Sequence, residues 1–180
     1  MLDWMISNVW GPQSGWFWTM VQSVGVIATL WWIVLQVRHM RHSNMLAALS
    51  AVDARWKSKL LQDSRVSAAK SFGDGTLNIR RPPEGEVLDF FEALGLYLHR
   101  KIFDRDLLWE KYSYFIEPYW QIFSSHINQH RALGNDETWY DKFEYLNHQM
   151  EKCAREKGLK NYGKKTSDQL ATFAAGELAR

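Results

Sequence analysis

The chain has 180 residues, a formal net charge of +2 and a hydrophobic fraction of 46%, which is enough apolar material for one domain of ordinary size. A charge this small argues against nucleic acid as a partner, because nucleic-acid-binding domains are usually strongly basic. Cys153 is the only cysteine, which excludes an intrachain disulfide and a multi-cysteine zinc site. The sequence contains no phosphate-binding glycine loop and no serine nucleophile elbow. We therefore expect a protein that is not an enzyme and carries no cofactor.

An apolar segment covers residues 16–37 and contains no charged side chain. As an α-helix it would be about 33 Å long, enough to cross a hydrocarbon core of about 30 Å. A signal peptide would have basic residues before a shorter apolar core, whereas residues 1–15 contain neither Lys nor Arg. The segment is therefore predicted to be an uncleaved transmembrane helix.

Basic residues follow the apolar segment directly, beginning with Arg38 and Arg41. A basic flank marks the cytoplasmic side of a single span, so the N-terminus is predicted to lie outside. We expect both arginines to contact lipid headgroups. Residues 1–15 then form a short periplasmic or interfacial segment.

Polar residues inside the apolar segment repeat every seven residues, and a second set falls between them at the complementary spacing. Together they form a seam with a period of 3.5, which consists of Thr19, Gln22, Val26, Thr29, Ile33 and Gln36. Lipid offers no hydrogen-bond partner, so polar side chains in a span favour another helix as neighbour. We interpret the seam as a helix–helix interface. Alternatively, the hydroxyl groups bond their own backbone and the two glutamines lie near the ends of the span.

The transmembrane helix is predicted to continue to about Phe72, because no Gly or Pro lies between Gly25 and Gly73. Ser43 and Asn44 form the one possible interruption. The apolar stripe of this continuation consists of Met45, Leu49, Val52, Trp56 and Leu60.

A loop is predicted at residues 73–85, where prolines and glycines cluster, and three helices follow it. They cover residues 86–101, a segment that begins after Asp104 as N-cap and ends at Gly134, and residues 137–157. Pro118 is predicted to kink the middle helix or divide it in two. The inward-facing residues are Val87, Phe90, Phe91, Leu94 and Leu98, then Leu108, Tyr112, Phe115, Tyr119, Phe123 and Ile127, and finally Trp139, Phe143, Leu146 and Met150.

The chain ends in a lysine-containing tail from Leu159, after a predicted glycine cap at Gly158. The tail is predicted to be loose, with a short helix capped by Ser167. The predicted fold class is all-α, with one N-terminal transmembrane helix that continues into a cytosolic helical bundle. Its parts are a periplasmic or interfacial segment (1–15), a transmembrane helix (16–37), a cytosolic helical domain (38–158) and a basic tail (159–180).

Two histidines, His126 and His130, are four residues apart and would lie on one face of a helix, as in a two-ligand metal site. A third ligand would have to come from another helix, such as His99, Glu92 or His148. The sequence has no HExxH motif, so we favour surface or interface histidines over a metal site.

Four aromatic motifs lie between residues 86 and 157: residues 90–92 with Gly95, residues 104–109, residues 119–120 and residues 139–146. Together they resemble an uncharacterised family of bacterial membrane proteins, which pair one N-terminal span with a helical domain of unknown function. The resemblance implies the same fold and a place in the bacterial inner membrane. It implies no activity.

From these observations we expect a non-enzymatic, membrane-anchored protein that acts by assembly, as a homo-oligomer or as an accessory subunit of a larger membrane complex. Its predicted partners are membrane lipids and, through the seam, itself or another membrane protein. One alternative is an oligomeric effector, of the stress or phage-defence type, that perturbs the membrane. Another is an enzyme with a site made of histidines and carboxylates.

Overall fold

A computed structural model describes residues 15–159, 162–163 and 165–179, and describes only the backbone of residues 38, 39 and 41–43. All regular secondary structure in this part of the chain is helical, which confirms the all-α class. The helices are α1 (Gly15–Trp56), α2 (Lys59–Gly73), α3 (Pro82–His99), α4 (Arg105–Gly134), α5 (Asp141–Glu156) and α6 (Ser167–Leu178). The chain divides into two compact units, one ending at Ala48 and one beginning at Leu49. The predicted domain boundaries stay predictions, and apart from Gly15 the predicted interfacial segment lies outside the described residues.

The first helix ends earlier than the sequence predicts. It passes through Ser43 and Asn44 without interruption and ends at Trp56, so both the continuation to Phe72 and the interruption at Ser43 are wrong. The break comes at Ser58, whose hydroxyl donates to the Arg55 carbonyl (2.7 Å). The same oxygen accepts the N–H of Leu61 (3.3 Å), so Ser58 closes α1 and caps α2.

The break at Ser58 changes which leucine faces the core. Leu61 is buried, whereas Leu60, which the predicted stripe contains, is 65% exposed. The earlier members of the stripe keep their predicted side: Val52 is buried and Trp56 is half-buried. A two-residue turn is enough to rotate the following helix relative to the helical period of α1.

The core of the second unit is built mainly from aromatic side chains. Helix α3 packs against α2 and α5, α4 packs against α5, and α6 packs against α2. Phe91 lies near the centre, with its ring stacked on Phe143 (4.9 Å between centroids) and 5.3 Å from Tyr119. The inward-facing residues predicted for α3, α4 and α5 are buried, except that Phe115 and Trp139 are half-buried.

The ends of two helices differ from their predicted positions. Helix α3 begins at Pro82, inside the predicted loop, because a proline in the first turn lacks only an N–H that would be unpaired there in any case. Helix α5 begins at Asp141 rather than Glu137, after Tyr140 in a left-handed conformation. Gly158 lies just beyond the end of α5 with a φ of +75°, as predicted for a glycine cap.

Pro118 lies within a single helix of 30 residues, so the predicted division of α4 is wrong and the kink stays a prediction. At the start of this helix, Asp104 occupies the N-cap position as predicted, but its side chain makes no capping hydrogen bond.

The last helix, α6, is more firmly attached than the sequence predicts. Its N-cap is Thr166 rather than Ser167, in a capping box with Gln169: the Thr166 N–H donates to the Gln169 amide oxygen (3.0 Å), and the Gln169 N–H donates to the Thr166 hydroxyl oxygen (3.4 Å). Phe173 and Glu177 are buried. The predicted looseness of the tail is therefore wrong for Ser167–Leu178.

Gly95 allows the close contact between α3 and α5. A Cβ atom at this position would overlap the carbonyl oxygen of Lys142, which is a backbone atom in α5. We expect Gly95→Ala to lower the free energy of unfolding by about 1–3 kcal/mol, because the two helices must separate. Thermal unfolding of the full chain in a nonionic detergent, followed by circular dichroism, measures the change.

A matched control is Gly176→Ala in α6, where an added Cβ meets no atom within 4 Å. This variant should be as stable as the parent or up to about 1 kcal/mol more stable, because alanine loses less entropy than glycine in a helix. Equal effects of the two substitutions would contradict the close contact at Gly95.

Candidate functional site

The apolar part of α1, Gly15–Val37, is long and apolar enough to span a membrane. It has 23 residues with a mean hydropathy of 1.7, and none of its most apolar stretch is buried. Trp31 and Trp32 are 69% and 66% exposed. The core helix of a soluble protein would be mostly buried, but a signal sequence near an N-terminus has a similar length and composition.

Every residue of the predicted seam, from Thr19 to Gln36, is exposed. The hydroxyl groups of Thr19 and Thr29 donate to the carbonyls of Gly15 and Gly25, each at 2.8 Å. The hydroxyl groups of these two threonines therefore have partners within their own helix and need no second helix. This agrees with the alternative interpretation, in which the hydroxyl groups bond their own backbone. The seam as a helix–helix interface stays a prediction.

A shallow depression lies on the side of α1 that carries the seam. Its lining consists of Gln22, Gly25, Val26, Thr29 and Leu30. No atom lies within 4 Å of the position where Gly25 would carry a Cβ, so another helix can approach its backbone closely. Gly25 is not a member of the predicted seam, because the seam follows a strict spacing that begins from the polar residues. Its position three residues after Gln22 was the available signal.

Arg38 and Arg41 lie on α1 beyond the apolar part, where the backbone is helical. Their side chains lie outside what the structure describes. The predicted contact with lipid headgroups therefore stays a prediction.

The two predicted metal candidates, His126 and His130, lie on the side of α4 that faces the loop carrying Arg80. The Nε and Nη2 atoms of Arg80 lie 3.2 and 3.0 Å from Nε2 of His130. Arginine only donates hydrogen bonds, so Nε2 must accept and the ring must be neutral in this arrangement. A metal ion at Nε2 would have to displace the guanidinium group.

The proposed third metal ligands have other partners. The carboxylate of Glu92 accepts the N–H groups of Phe143 (2.8 Å) and Lys142 (3.3 Å), and His148 lies beside Glu144 at 3.9 Å. Within the described residues, no group of three or more His, Cys, Asp or Glu side chains is placed to hold a metal ion.

Two residues of the first aromatic motif, Glu92 and Gly95, join α3 to α5. Glu92 lies on α3 but caps the first turn of α5, and Gly95 brings the two helices together. Burial raises the pKa of the Glu92 carboxyl above its ordinary value, although the two N–H donors act to lower it. This motif therefore fixes the junction between α3 and α5.

Glu117 holds the chain that precedes α6. It is a buried residue of α4, and its two oxygens accept the N–H of Gly163 (2.8 Å) and the ammonium group of Lys165 (2.7 Å). Tyr162 stacks on Trp109 at 5.1 Å and donates to the Ser113 carbonyl (3.2 Å). These contacts explain why Trp109, in the second aromatic motif, is only half-exposed.

Arg65 is a buried cation on α2, with 5% of its surface exposed. Its Nε lies 3.0 Å from the carboxylate of Glu177 on α6, and its guanidinium group lies 4.1 Å from the ring centroid of Trp56. Tyr119 donates a further hydrogen bond to Glu177 (3.1 Å). This pair was not predicted, because the tail that forms α6 was expected to be loose.

Asp53, near the end of α1, binds two residues of α4. Its carboxylate accepts hydrogen bonds from Lys111 and from the hydroxyl of Tyr112 (2.5 Å). Burial acts to raise the pKa of Asp53, but these two hydrogen bonds and the charges of Lys111 and Lys57 together outweigh it and hold the pKa below the ordinary value of 3.8.

The observed architecture is an exposed apolar helix followed by an aromatic helical bundle. The chain belongs to the family described as "Domain of unknown function (DUF4760)", whose model matches residues 19–150. This confirms the resemblance drawn from the four motifs, all of which lie in the matched range. No curated protein and no solved structure matches the chain. The match includes most of the apolar helix and ends before α6.

We expect Glu177→Gln to lower the free energy of unfolding by about 3–5 kcal/mol, because it leaves the Arg65 cation buried without a counter-charge. Denaturant unfolding of the full chain in nonionic detergent measures the change. Glu110→Gln, at an exposed position of α4, is the control and should have little effect. Adding Arg65→Met to Glu177→Gln should restore part of the loss. A double variant less stable than Glu177→Gln alone would contradict this explanation.

Asp53→Asn should lower the free energy of unfolding by about 1 kcal/mol at neutral pH, because it removes a charge-assisted contact that is partly solvent-screened. The pKa of Asp53 is lowered on folding, so its contribution is present above the unfolded pKa and is lost as the pH falls through the folded pKa. The difference between parent and variant should therefore begin to shrink as the pH falls towards the unfolded pKa of about 3.9, and should disappear only below the folded pKa. Unfolding curves across this range test it, with the exposed Asp63→Asn as the control.

Proposed function

We propose that this chain is a membrane-anchored helical protein that acts by assembly and not by catalysis. The observation that carries the proposal is the apolar helix Gly15–Val37, of which the most apolar stretch is not buried at all. An apolar surface of this extent is not stable in water and needs lipid or protein to cover it. Because its length matches the thickness of a bilayer, lipid is the cover we propose.

Two observations favour a permanent span over a cleaved signal sequence. The family match begins at Thr19, inside the apolar helix, so most of this helix is part of the family domain. Helix α1 also continues without a break from Gly15 to Trp56, and its last turns carry Val52 and Asp53, which take part in the core and polar contacts of the second unit. A removable leader would more naturally end in a flexible, small-residue segment.

The proposed location is the bacterial inner membrane, with the N-terminus outside and the helical domain in the cytoplasm. The basic flank supports this orientation, since Arg38 and Arg41 follow the apolar part and no basic residue precedes it. A single cysteine, Cys153, which is buried, is also compatible with a reducing compartment.

Assembly is proposed to take place through the seam, as a homo-oligomer or with a subunit of a larger membrane complex. Gln22 is the strongly polar residue furthest inside the apolar part, and a facing helix can supply its amide with the hydrogen-bond partner that lipid tails lack. The depression at Gly25 lies beside Gln22 and allows that helix to come close. Lipids cover the remaining faces.

Disulfide crosslinking tests the seam in membranes. Single cysteines at Gln22, Thr29 and Gln36, in a chain that carries Cys153→Ser, should form dimers under mild oxidation. Cysteines at Val24 and Ile27, which lie on the opposite side of the helix, are the controls. We expect several-fold more dimer from the seam positions, because the same face of two copies is in contact. Equal crosslinking at all five positions would contradict a homo-oligomeric seam.

A second comparison separates close packing from chance encounters. Gly25→Leu fills the depression and should reduce crosslinking at position 22, whereas Ala28→Leu adds similar bulk away from the seam and should not. If both substitutions leave the crosslink unchanged, the depression is not part of the contact.

A further inference from the structure

A polar groove of about 350 Å³ lies between the loop after α2 and the second half of α4. Its polar lining consists of Asn78, Arg80, His126, Gln129 and His130. Among the described residues that line it, none is acidic. The groove thus combines one permanent cation, two histidines and two amides without a counter-charge in its wall.

The Nε and Nη2 atoms of Arg80 both point towards one atom, Nε2 of His130. Both atoms lie within 3.2 Å of Nε2 of His130, so the side of the guanidinium group that usually holds a carboxylate or phosphate faces one lone pair instead. The side chain of Asn78 accepts the backbone N–H of Arg80 at 3.0 Å and fixes the loop at this position. Arg80 is therefore held in the groove with a weak partner.

His130 is also held in place, because its ring stacks on Trp139 with 3.8 Å between centroids and 15° between planes. The charged groups near it are Arg80 on the loop and Asp136 in the turn before α5. His126 lines the same groove, and Arg131 is the next residue of α4.

The two nearby charges on α4 and in the turn have their own partners. Arg131 donates to the Trp139 carbonyl (2.8 Å) and to Glu144 (2.6 Å). Oδ1 of Asp136 accepts two hydrogen bonds from Thr138. Arg131 therefore has its own counter-charge in Glu144, and Oδ1 of Asp136 is occupied by Thr138 rather than by Arg80.

We propose that this groove binds a tetrahedral oxyanion of the phosphate class, in particular a phosphate monoester. The anion takes the Nε and Nη2 donors of Arg80 in place of the His130 lone pair. The amide groups of Asn78 and Gln129 and the ring of His126 supply further donors at the edge. A proton on His130 adds a donor and a positive charge, so the anion and the proton favour each other's binding.

The proposed anion site uses none of the residues of the seam, and the proposal does not depend on the proposed membrane role. The phosphate group can come from a soluble monoester or from a lipid headgroup, and both present the same oxygens to Arg80. The two sources are separated by experiment.

Isothermal titration of the full chain in nonionic detergent, with sulfate at constant ionic strength, is the first test. Sulfate stays a dianion between about pH 5.5 and pH 8, so any change in affinity across the ordinary histidine pKa of about 6.5 comes from the protein. We expect binding at least about fivefold tighter at the lower pH. Absence of binding at both pH values overturns the proposal.

Three variants test the assigned residues. Arg80→Gln should weaken sulfate binding at least about tenfold at both pH values, because it removes the bidentate donor. Arg81→Gln, at an exposed neighbour outside the lining, is the matched control and should change little. His130→Gln cannot take up a proton and should remove most of the pH dependence. Equal losses for Arg80→Gln and Arg81→Gln mean diffuse charge attraction and overturn the site.

Titration with glycerol 3-phosphate and with dihexanoyl phosphatidic acid identifies the source. If glycerol 3-phosphate and the lipid both bind the parent chain and both lose affinity in Arg80→Gln, the groove recognises the phosphate group and does not need the acyl chains. If only the lipid does so, the ligand is a phospholipid headgroup. Binding of sulfate with no binding of either monoester overturns the phosphate class.

Discussion

The buried ion pair between Arg65 and Glu177 constrains how the helices of the bundle pack. A cation removed from water destabilises a fold unless a counter-charge lies against it. Glu177 supplies that charge from α6, Trp56 covers the flat face from the end of α1, and Tyr119 on α4 orients the carboxylate. Three helices must therefore be docked on α2 before Arg65 is compensated. The family match ends before α6, yet α6 neutralises a charge inside the matched range.

Three acidic side chains of the bundle serve mainly to join segments of the fold. Glu92 caps a helix other than its own, Glu117 holds the chain before α6, and Asp53 ties the end of α1 to α4. Each of these carboxylates has its oxygens occupied by donors from the protein. Acid–base catalysis needs a carboxylate with access to a substrate proton. This occupancy favours a structural role for these three side chains.

The sequence predicts the regular part of this fold well, because burial follows the helical period. The stripe from Val87 to Leu98 on α3 repeats at that period and is buried as predicted. The predictions failed where one polar side chain decides the local structure. Ser58 ends a helix through two hydrogen bonds, but a single serine within a helical pattern carries no distinct signal. The pair of Arg80 and His130 was also out of reach, since the two residues are 50 positions apart and only the packing of a loop on α4 brings them together.

The exposed part of α1 is apolar on all sides, and this constrains what can cover it. Val26 and Ile33 are exposed on the seam side, and Val24 and Trp31 are also exposed on the opposite side. A helix that docks in a groove of a soluble partner has an apolar stripe on one face and polar residues on the other. One partner surface would leave half of this helix in water. Lipid covers a helix on all sides at once, and a second helix then needs to replace lipid only along the face with Gln22 and Gly25. The proposed anchor and the proposed seam are therefore compatible: the first accounts for the apolar surface as a whole, and the second for the polar positions within it.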